Sequence, residues 1–268
     1  MFRKTSVVVA TLAMAALAAC GGGSTAGSAS SGSSSGGSSG QTLKVGTEGT
    51  YAPFTFHDPK TNKLTGYDVE VVEAVAGKLG RKAEFSESTF DAIFAGLEAS
   101  RYDVVANQIS VNPQRQAKYA FSEPYTVSSG VVVTRADDSS VHTIADIRGK
   151  TSAQSTTSNF ADTARKAGAK VEAVEGFTQA VALLKQKRVD ITINDSLAVL
   201  NYLRTSGDKG IKIAATTGDT TKQAFAFRKD SPLPAQFDKA LDQLRSDGTL
   251  AKISKKWFGQ DVSGPAAS

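Results

Sequence analysis

Tyr102-Asp103-Val104-Val105-Ala106-Asn107-Gln108-Ile109-Ser110-Val111-Asn112-Pro113-Gln114-Arg115 carries a strand and the start of a helix in one short stretch. Asp103 to Ala106 is strand-like. Asn112-Pro113 then opens a helix, with Pro113 at the first position, where its missing N–H costs nothing. The same alternation extends in both directions. Upstream, Leu43 to Gly46 reads as a strand, and Asp68 is placed to cap a helix whose apolar face is Val69, Val72, Val75 and Leu79, a 3.6-residue rhythm. Ala83 to Ser86 is a short strand, and Ser88 with Asp91 forms a capping-box pattern ahead of Ile93, Phe94 and Leu97. Downstream, the β-branched run Gly130 to Thr134 suits an extended crossing segment. A second series follows: strands near Lys150–Ala153, Val171–Val174, Asp190–Ile193 and Ile211–Ala214, with helices from about Ser158, over Phe177–Lys187 and over Ser196–Thr205 between them. Phe225 to Arg228 is extended again, and two helices close the chain, Leu233–Ser246 and Leu250–Phe258. Strands separated by helices predict an α/β chain with parallel sheets covered on both faces. Periodicity leaves the wiring of the two series open.

The ends of the chain differ from its body. Arg3 and Lys4 precede an apolar run from Val7 to Ala19, too short for a membrane span of about 20 apolar residues and of the kind found in export leaders. The run ends Leu17-Ala18-Ala19-Cys20, which resembles a bacterial lipobox and implies that Cys20 is acylated after removal of residues 1–19. Cys20 is the only cysteine, so neither an intramolecular disulfide nor a thiolate metal cluster is available. Residues 21–40 hold only Gly, Ser, Ala and Thr and cannot bury apolar surface. They read as a flexible tether with a root-mean-square span of about 25 Å. Gly32-Ser33-Ser34-Ser35-Gly36 matches the nucleophile-elbow pattern without the strand and helix an elbow needs, a low-complexity coincidence. The formal charge is +5, and Arg3 and Lys4 account for two of those charges. The basic residues are dispersed, which argues against nucleic acid. No later apolar run could span a bilayer, and the body is expected to be soluble.

Several stretches resemble the polar amino-acid branch of the bacterial substrate-binding proteins, family 3, of ABC importers. They are Gly46-Thr47-Glu48-Gly49-Thr50-Tyr51-Ala52-Pro53-Phe54, Gly66-Tyr67-Asp68, the Tyr102–Ser110 segment with Arg115 five residues on, and Phe121-Ser122-Glu123-Pro124-Tyr125. The resemblance covers essentially residues 41–262. It implies a type II periplasmic-binding-protein fold, two α/β lobes joined by two crossing strands. Residues 41–129 plus 223–268 would form lobe one and residues 130–222 lobe two, with ligand between them. Gly149 to Asn159, Arg188-Val189-Asp190, Asn194-Asp195, Leu197 to Leu203 and Lys252 to Gly259 are particularly similar to cystine-binding members, and Asn107-Gln108 points the same way. The expected ligand is a free amino acid, L-cystine favoured, with arginine, glutamine or histidine as alternatives.

A free amino acid presents a carboxylate beside an ammonium, so its receptor needs a fixed cation and a fixed anion. Arg115 is the carboxylate partner that the resemblance implies. Its planar fork can donate two parallel bonds. Asp195, after the apolar strand Ile191–Ile193, is the candidate for the ammonium, at the strand end where open α/β sheets place ligands; taken alone, it suits the N-cap of the next helix better. Asp190, at the strand's beginning, fits a structural role. Thr156, Thr157 and Ser158 precede a helix whose free N–H groups favour an anion, and they also suit plain capping. The resemblance adds Ser110 as a lobe-one contact, Tyr51 and Phe90 as aromatic walls, with Phe90 also suiting the core, and Glu48 for a basic group on the ligand or as a structural acid. Asn107 and Gln108 would approach by side chain or backbone. Closure about a hinge is the implied mechanism.

No metal cluster, cofactor motif or nucleophile–base pair is apparent, and His57 and His142 lie far apart. The chain is therefore expected to be a binding protein and not an enzyme, held outside the cytoplasm by its lipid anchor, in a periplasm or on the outer face of the membrane. It would act as a monomer serving an ABC permease. A cyclohexadienyl dehydratase-like activity, with Glu48 or Asp195 as acid, and a sensory or adhesive lipoprotein are the rivals.

Overall fold

In the computed structural model, which describes residues 41–264, both series of strands and helices form, and two long antiparallel strands run between them. The leader, Cys20 and the tether lie outside the described residues. The first series comprises β1 (Thr42–Thr47), β2 (Thr50–Tyr51), β3 (Thr55–His57), β4 (Leu64–Thr65), α1 (Tyr67–Lys78), β5 (Lys82–Glu87), α2 (Phe90–Glu98), β6 (Val104–Ser110), α3 (Pro113–Lys118) and β7 (Tyr119–Phe121). After β8 (Thr126–Arg135) and a 3-10 turn at Ile144–Ile147, the second series is β9 (Thr151–Gln154), α4 (Asn159–Lys166), β10 (Lys170–Ala173), α5 (Phe177–Lys185), β11 (Ile191–Asp195) and α6 (Ser196–Ser206). β12 (Ile211–Arg228), α7 (Leu233–Ser246) and α8 (Thr249–Phe258) complete it.

The main sheet runs β10-β9-β11-β8-β12-β6-β1-β5. β1 pairs in parallel with β5 and β6, and β9 in parallel with β10 and β11. β8 and β12 are antiparallel to each other and to the strands they meet on either side. The expected pair of short strands, Ile211–Ala214 and Phe225–Arg228, is one continuous strand. β12 begins beside β8 and ends beside β6 and β7, with register shifts between Ile213 and Ala215 and between Thr216 and Thr220 that let it bend from one half to the other. This is the two-lobed α/β arrangement with two crossing strands that the resemblance implied. Each half has its own apolar core. One gathers Leu43, Val45, Tyr67, Val72, Val75, Phe225, Phe227 and Phe237, and the other Val131, Val133, Ala153, Val181 and Leu184. Burying each of the three Phe rings contributes about 1.5–3 kcal/mol. Leu197 and Ala198, at the start of α6, pack with the first core although β11 belongs to the second half.

Two local expectations are corrected. Asp68 does not cap α1. The cap position is Gly66 at φ 132°, where a Cβ would lie 2.2 Å from the Phe54 carbonyl oxygen, so only glycine fits. Asp68 turns inward, fully buried, and accepts from Gln108 N at 2.7 Å and Gln108 Nε2 at 2.6 Å. Ser88 and Asp91 do not form a capping box either. Thr89 holds the cap position of α2 without a side-chain bond, and Asp91 reaches to Thr156 and Thr157 instead. The Asn112-Pro113 start is as read, Asn112 accepting from Arg115 N at 2.8 Å. No helix among the described residues is long and apolar enough to cross a membrane.

Candidate functional site

The C-terminal ends of β1, β6, β9 and β11 converge on a cavity between the halves. It is a narrow cavity of about 50 Å³. Glu48 sits one residue beyond β1 and is locked to β6 by a reciprocal pair: Asn107 Nδ2 donates to Glu48 Oε2 at 2.6 Å, and Glu48 N donates to Asn107 Oδ1 at 2.8 Å. Among the described residues, Glu48 is the one carboxylate lining the cavity, and no Lys or Arg lines it. Burial pushes its carboxyl up to about 7, the Asn107 bond opposing and Asp91 reinforcing the rise. Such a group is half protonated near neutral pH and gains from an incoming cation.

Gln108 takes a left-handed backbone, φ 49°, in the middle of β6. Its amide N–H and Nε2 are both tied to Asp68, while its buried Oε1 has no partner among the described residues although Gln108 lines the cavity. Burial holds Asp68 up at about 6 against those bonds. Tyr51 and Phe90 form aromatic walls on this side, and Phe160 and Phe177 face them from the second half. The Tyr51 hydroxyl donates to Asn194 Oδ1 at 2.7 Å, joining the halves across the cavity.

The other expected residues do not line it. Arg115 is buried, with Nη1 donating to the Ser110 carbonyl at 3.1 Å and Nη2 to the Thr157 carbonyl at 3.3 Å. Its guanidinium lies 5.6 Å from the Phe90 centroid and 5.3 Å from that of Phe94, behind the aromatic wall. Burial lowers it to about 10, still a cation at neutral pH. Ser110 contributes its carbonyl to Arg115. Thr156 and Thr157 spend their amides and hydroxyls on Asp91, while Ser155 and Ser158 beside them line the cavity. Asp195 caps α6 through Leu197 N at 2.8 Å and accepts from Ser128 Oγ and from Gln223 Nε2, the latter at 3.3 Å. Burial pushes it up to about 6. Asp190 accepts from Thr151 N at 2.8 Å, a structural tie between β9 and its neighbour.

Sequence reasoning missed Asn194, Thr192, Ser155, Phe160 and Phe177 as lining residues. Strand alternation could have found the first two. In β11, Thr192 and Asn194 share one face and line the cavity, so Asp195 must point to the other. The rest come from loops and helix starts that carry no period. No group of three or more His, Cys, Asp and Glu side chains among the described residues could hold a metal ion.

The family described as bacterial extracellular solute-binding proteins, family 3, matches residues 43–260. The L-cystine-binding protein TcyA of Bacillus subtilis is 52% identical over 257 residues, covering 94% of this chain and 96% of that protein. The L-cystine solute receptor of Neisseria gonorrhoeae, solved in an unliganded open conformation, is 47% identical with a TM-score of 0.57, over 85% of this chain and 96% of that one. An ancestral arginine-binding protein bound to arginine is 34% identical yet superposes better, at a TM-score of 0.76 over 81% of this chain and 98% of that one.

Proposed function

Because the chain belongs to the bacterial extracellular solute-binding proteins, family 3, we propose that it captures a free amino acid, L-cystine before others, between two closing lobes and passes it to an ABC permease. The 52% identity to an L-cystine-binding protein over 94% of this chain carries the choice of ligand. The cavity supports it chemically. Glu48 offers a carboxylate to an ammonium, and the four aromatic rings suit a sulfur-containing, largely apolar middle. L-Cystine carries two ammonium groups, so one can meet Glu48 while the other stays with its carboxylate.

In this proposal lobe one is 41–129 plus 223–268 and lobe two is 130–222, a division that the cores support except at Leu197 and Ala198, which pack with the first. Arg115 would supply a cation and Asp195 a second anion from behind the lining residues, with the Ser110 and Thr157 carbonyls holding Arg115 and Thr156 beside them. Closure is supported by shape: the chain superposes better on a more distant liganded protein than on a nearer one in an open state. Shifting such an equilibrium from 1:99 to 99:1 takes about 5.5 kcal/mol, and charged hydrogen bonds contribute about 1.5–3 kcal/mol each, so a few suffice. Residues 1–19 would be removed and Cys20 acylated, leaving residues 20–40 as a tether to the membrane. The protein would act as a monomer and without catalysis. A dehydratase-like use of Glu48 as an acid is the enzymatic alternative, since a carboxyl at about 7 can donate a proton near neutral pH. Turnover of prephenate or arogenate would establish it.

A thermal-shift panel of free amino acids tests the main proposal. L-Cystine is expected to raise the melting temperature most. A larger rise with arginine, glutamine or histidine would displace cystine, and no rise with any amino acid would remove the amino-acid function.

A further inference from the structure

Asp91 is the strongest polar link between the two halves that Proposed function does not use. It stands on α2, whose Ile93 and Leu97 pack in the first half. Thr156 and Thr157 precede α4, whose Ala164 packs in the second. The Asp91 carboxylate accepts from Thr156 N at 3.0 Å, Thr156 Oγ1 at 2.7 Å, Thr157 N at 2.9 Å and Thr157 Oγ1 at 2.7 Å. By comparison, Tyr51 and Arg115 each make a single bond across the same gap. An ionised acceptor with four donors is the strong kind of hydrogen bonding. Burial raises the Asp91 carboxyl, but the threonine bonds outweigh it and hold the group below its ordinary value. α2 meanwhile goes without a side-chain cap, so the acid that could serve its own helix serves the other half.

Position separates this contact from the cavity. Phe90, Ser155 and Ser158, the immediate neighbours, line the cavity, whereas Asp91, Thr156 and Thr157 do not. Asp91 and Thr157 are exposed, at the rim. The bonds can therefore stay made with the cavity occupied.

We propose that Asp91 is a positioning residue, a clasp on Thr156 and Thr157 that holds the lobes shut over a bound amino acid and slows its escape without touching it. This rests on ligand capture by closure, as proposed above. The clasp is made in the closed form with or without ligand, so its loss speeds the opening that releases ligand and does not slow entry.

The test uses the mature full chain with a donor–acceptor fluorophore pair on α5 and α7, in wild type, Asp91→Ala and Asp91→Asn. Without ligand, Asp91→Ala is expected to shift the inter-lobe distance toward the open form. Stopped-flow mixing with L-cystine is expected to show dissociation at least tenfold faster and association within about twofold of wild type. Asp91→Asn keeps one acceptor oxygen and loses the charge, so it should fall between the two. Thermal melts confirm that each variant is folded. A wild-type distance distribution, a wild-type dissociation rate or an equally large loss in association would overturn the clasp. If no amino acid binds even the wild type, ligand capture fails separately, and the ligand-free distances alone decide on Asp91.

Discussion

Replacing Glu48 by Gln should weaken ligand binding and stabilise the empty protein at once. The glutamine amide keeps an oxygen to accept from Asn107 Nδ2, so the local fold is retained while the charge goes. The Glu48 carboxyl rises from 4.5 to about 7 on burial, and each unit is worth about 1.36 kcal/mol, which sets a ceiling of about 3 kcal/mol. Glu48 is only partly covered, and solvent in the cavity screens part of the penalty, leaving about 1–2 kcal/mol. The folded-state value lies above the unfolded one. The native state therefore holds more protons between pH 4.5 and 7, and the Glu48 contribution to stability falls as pH rises through that window. Ligand-free wild type and Glu48→Gln should melt together at pH 4, whereas at pH 8 the variant should melt about 2–8 °C higher, at about 2–4 °C per kcal/mol for a body of this size. Titration calorimetry with L-cystine at pH 8 should show the reverse order, with the variant about 10–150-fold weaker for the loss of one charged hydrogen bond worth about 1.5–3 kcal/mol. Wild-type affinity should also decline as pH falls below 7 and Glu48 takes up its proton, while the variant stays flat in that range. Wild-type affinity and slope in Glu48→Gln would show that Glu48 meets no ammonium. Coincident melts at pH 8 would show that its carboxyl is not raised.

Tyr51→Phe removes only the bond to Asn194, worth about 0.5–1.5 kcal/mol net, and should weaken L-cystine binding by about 2–13-fold in calorimetry. Arg115→Lys gives up the two-carbonyl fork and the position against Phe90 and Phe94. Binding should fall at least about a hundredfold if the guanidinium serves the ligand carboxylate, as the same titration would reveal. Gly46→Ala places a Cβ 2.4 Å from the Tyr102 ring and should cost about 1–3 kcal/mol or more by overpacking. Gly77→Ala, in α1 with nothing within 4 Å, should gain about 0.5–1 kcal/mol. Urea denaturation of the two alanine variants checks both signs.

Much of the fold was legible because its signals are local. The helix opening at Asn112-Pro113 and the closing helix at Leu233–Ser246 stand where period and caps placed them. Both capping expectations at Asp68 and Asp91 went astray for one reason. A carboxylate near a helix start looks the same in sequence whether its donors are its own helix or residues far along the chain, and Gln108 and Thr156 lie 40 and 65 positions away. Of the candidate site, Glu48, Tyr51, Phe90, Asn107 and Gln108 line the cavity; Arg115, Ser110, Thr156, Thr157 and Asp195 do not.

The sequence by itself determined the alternating elements and the two series, because hydrophobic period, glycine and proline act on near neighbours and survive without the rest of the molecule; the family was legible only through the resemblance of its motifs. Only the tertiary structure decided which polar groups face the cavity and which face each other. Asn194 and Asp195 are adjacent in β11, yet the pleat sends one to the cavity and the other to the α6 cap. Asp91 and Thr157 become partners only once the crossing strands bring the two halves together, since a carboxylate binds whichever donors packing puts within about 3 Å.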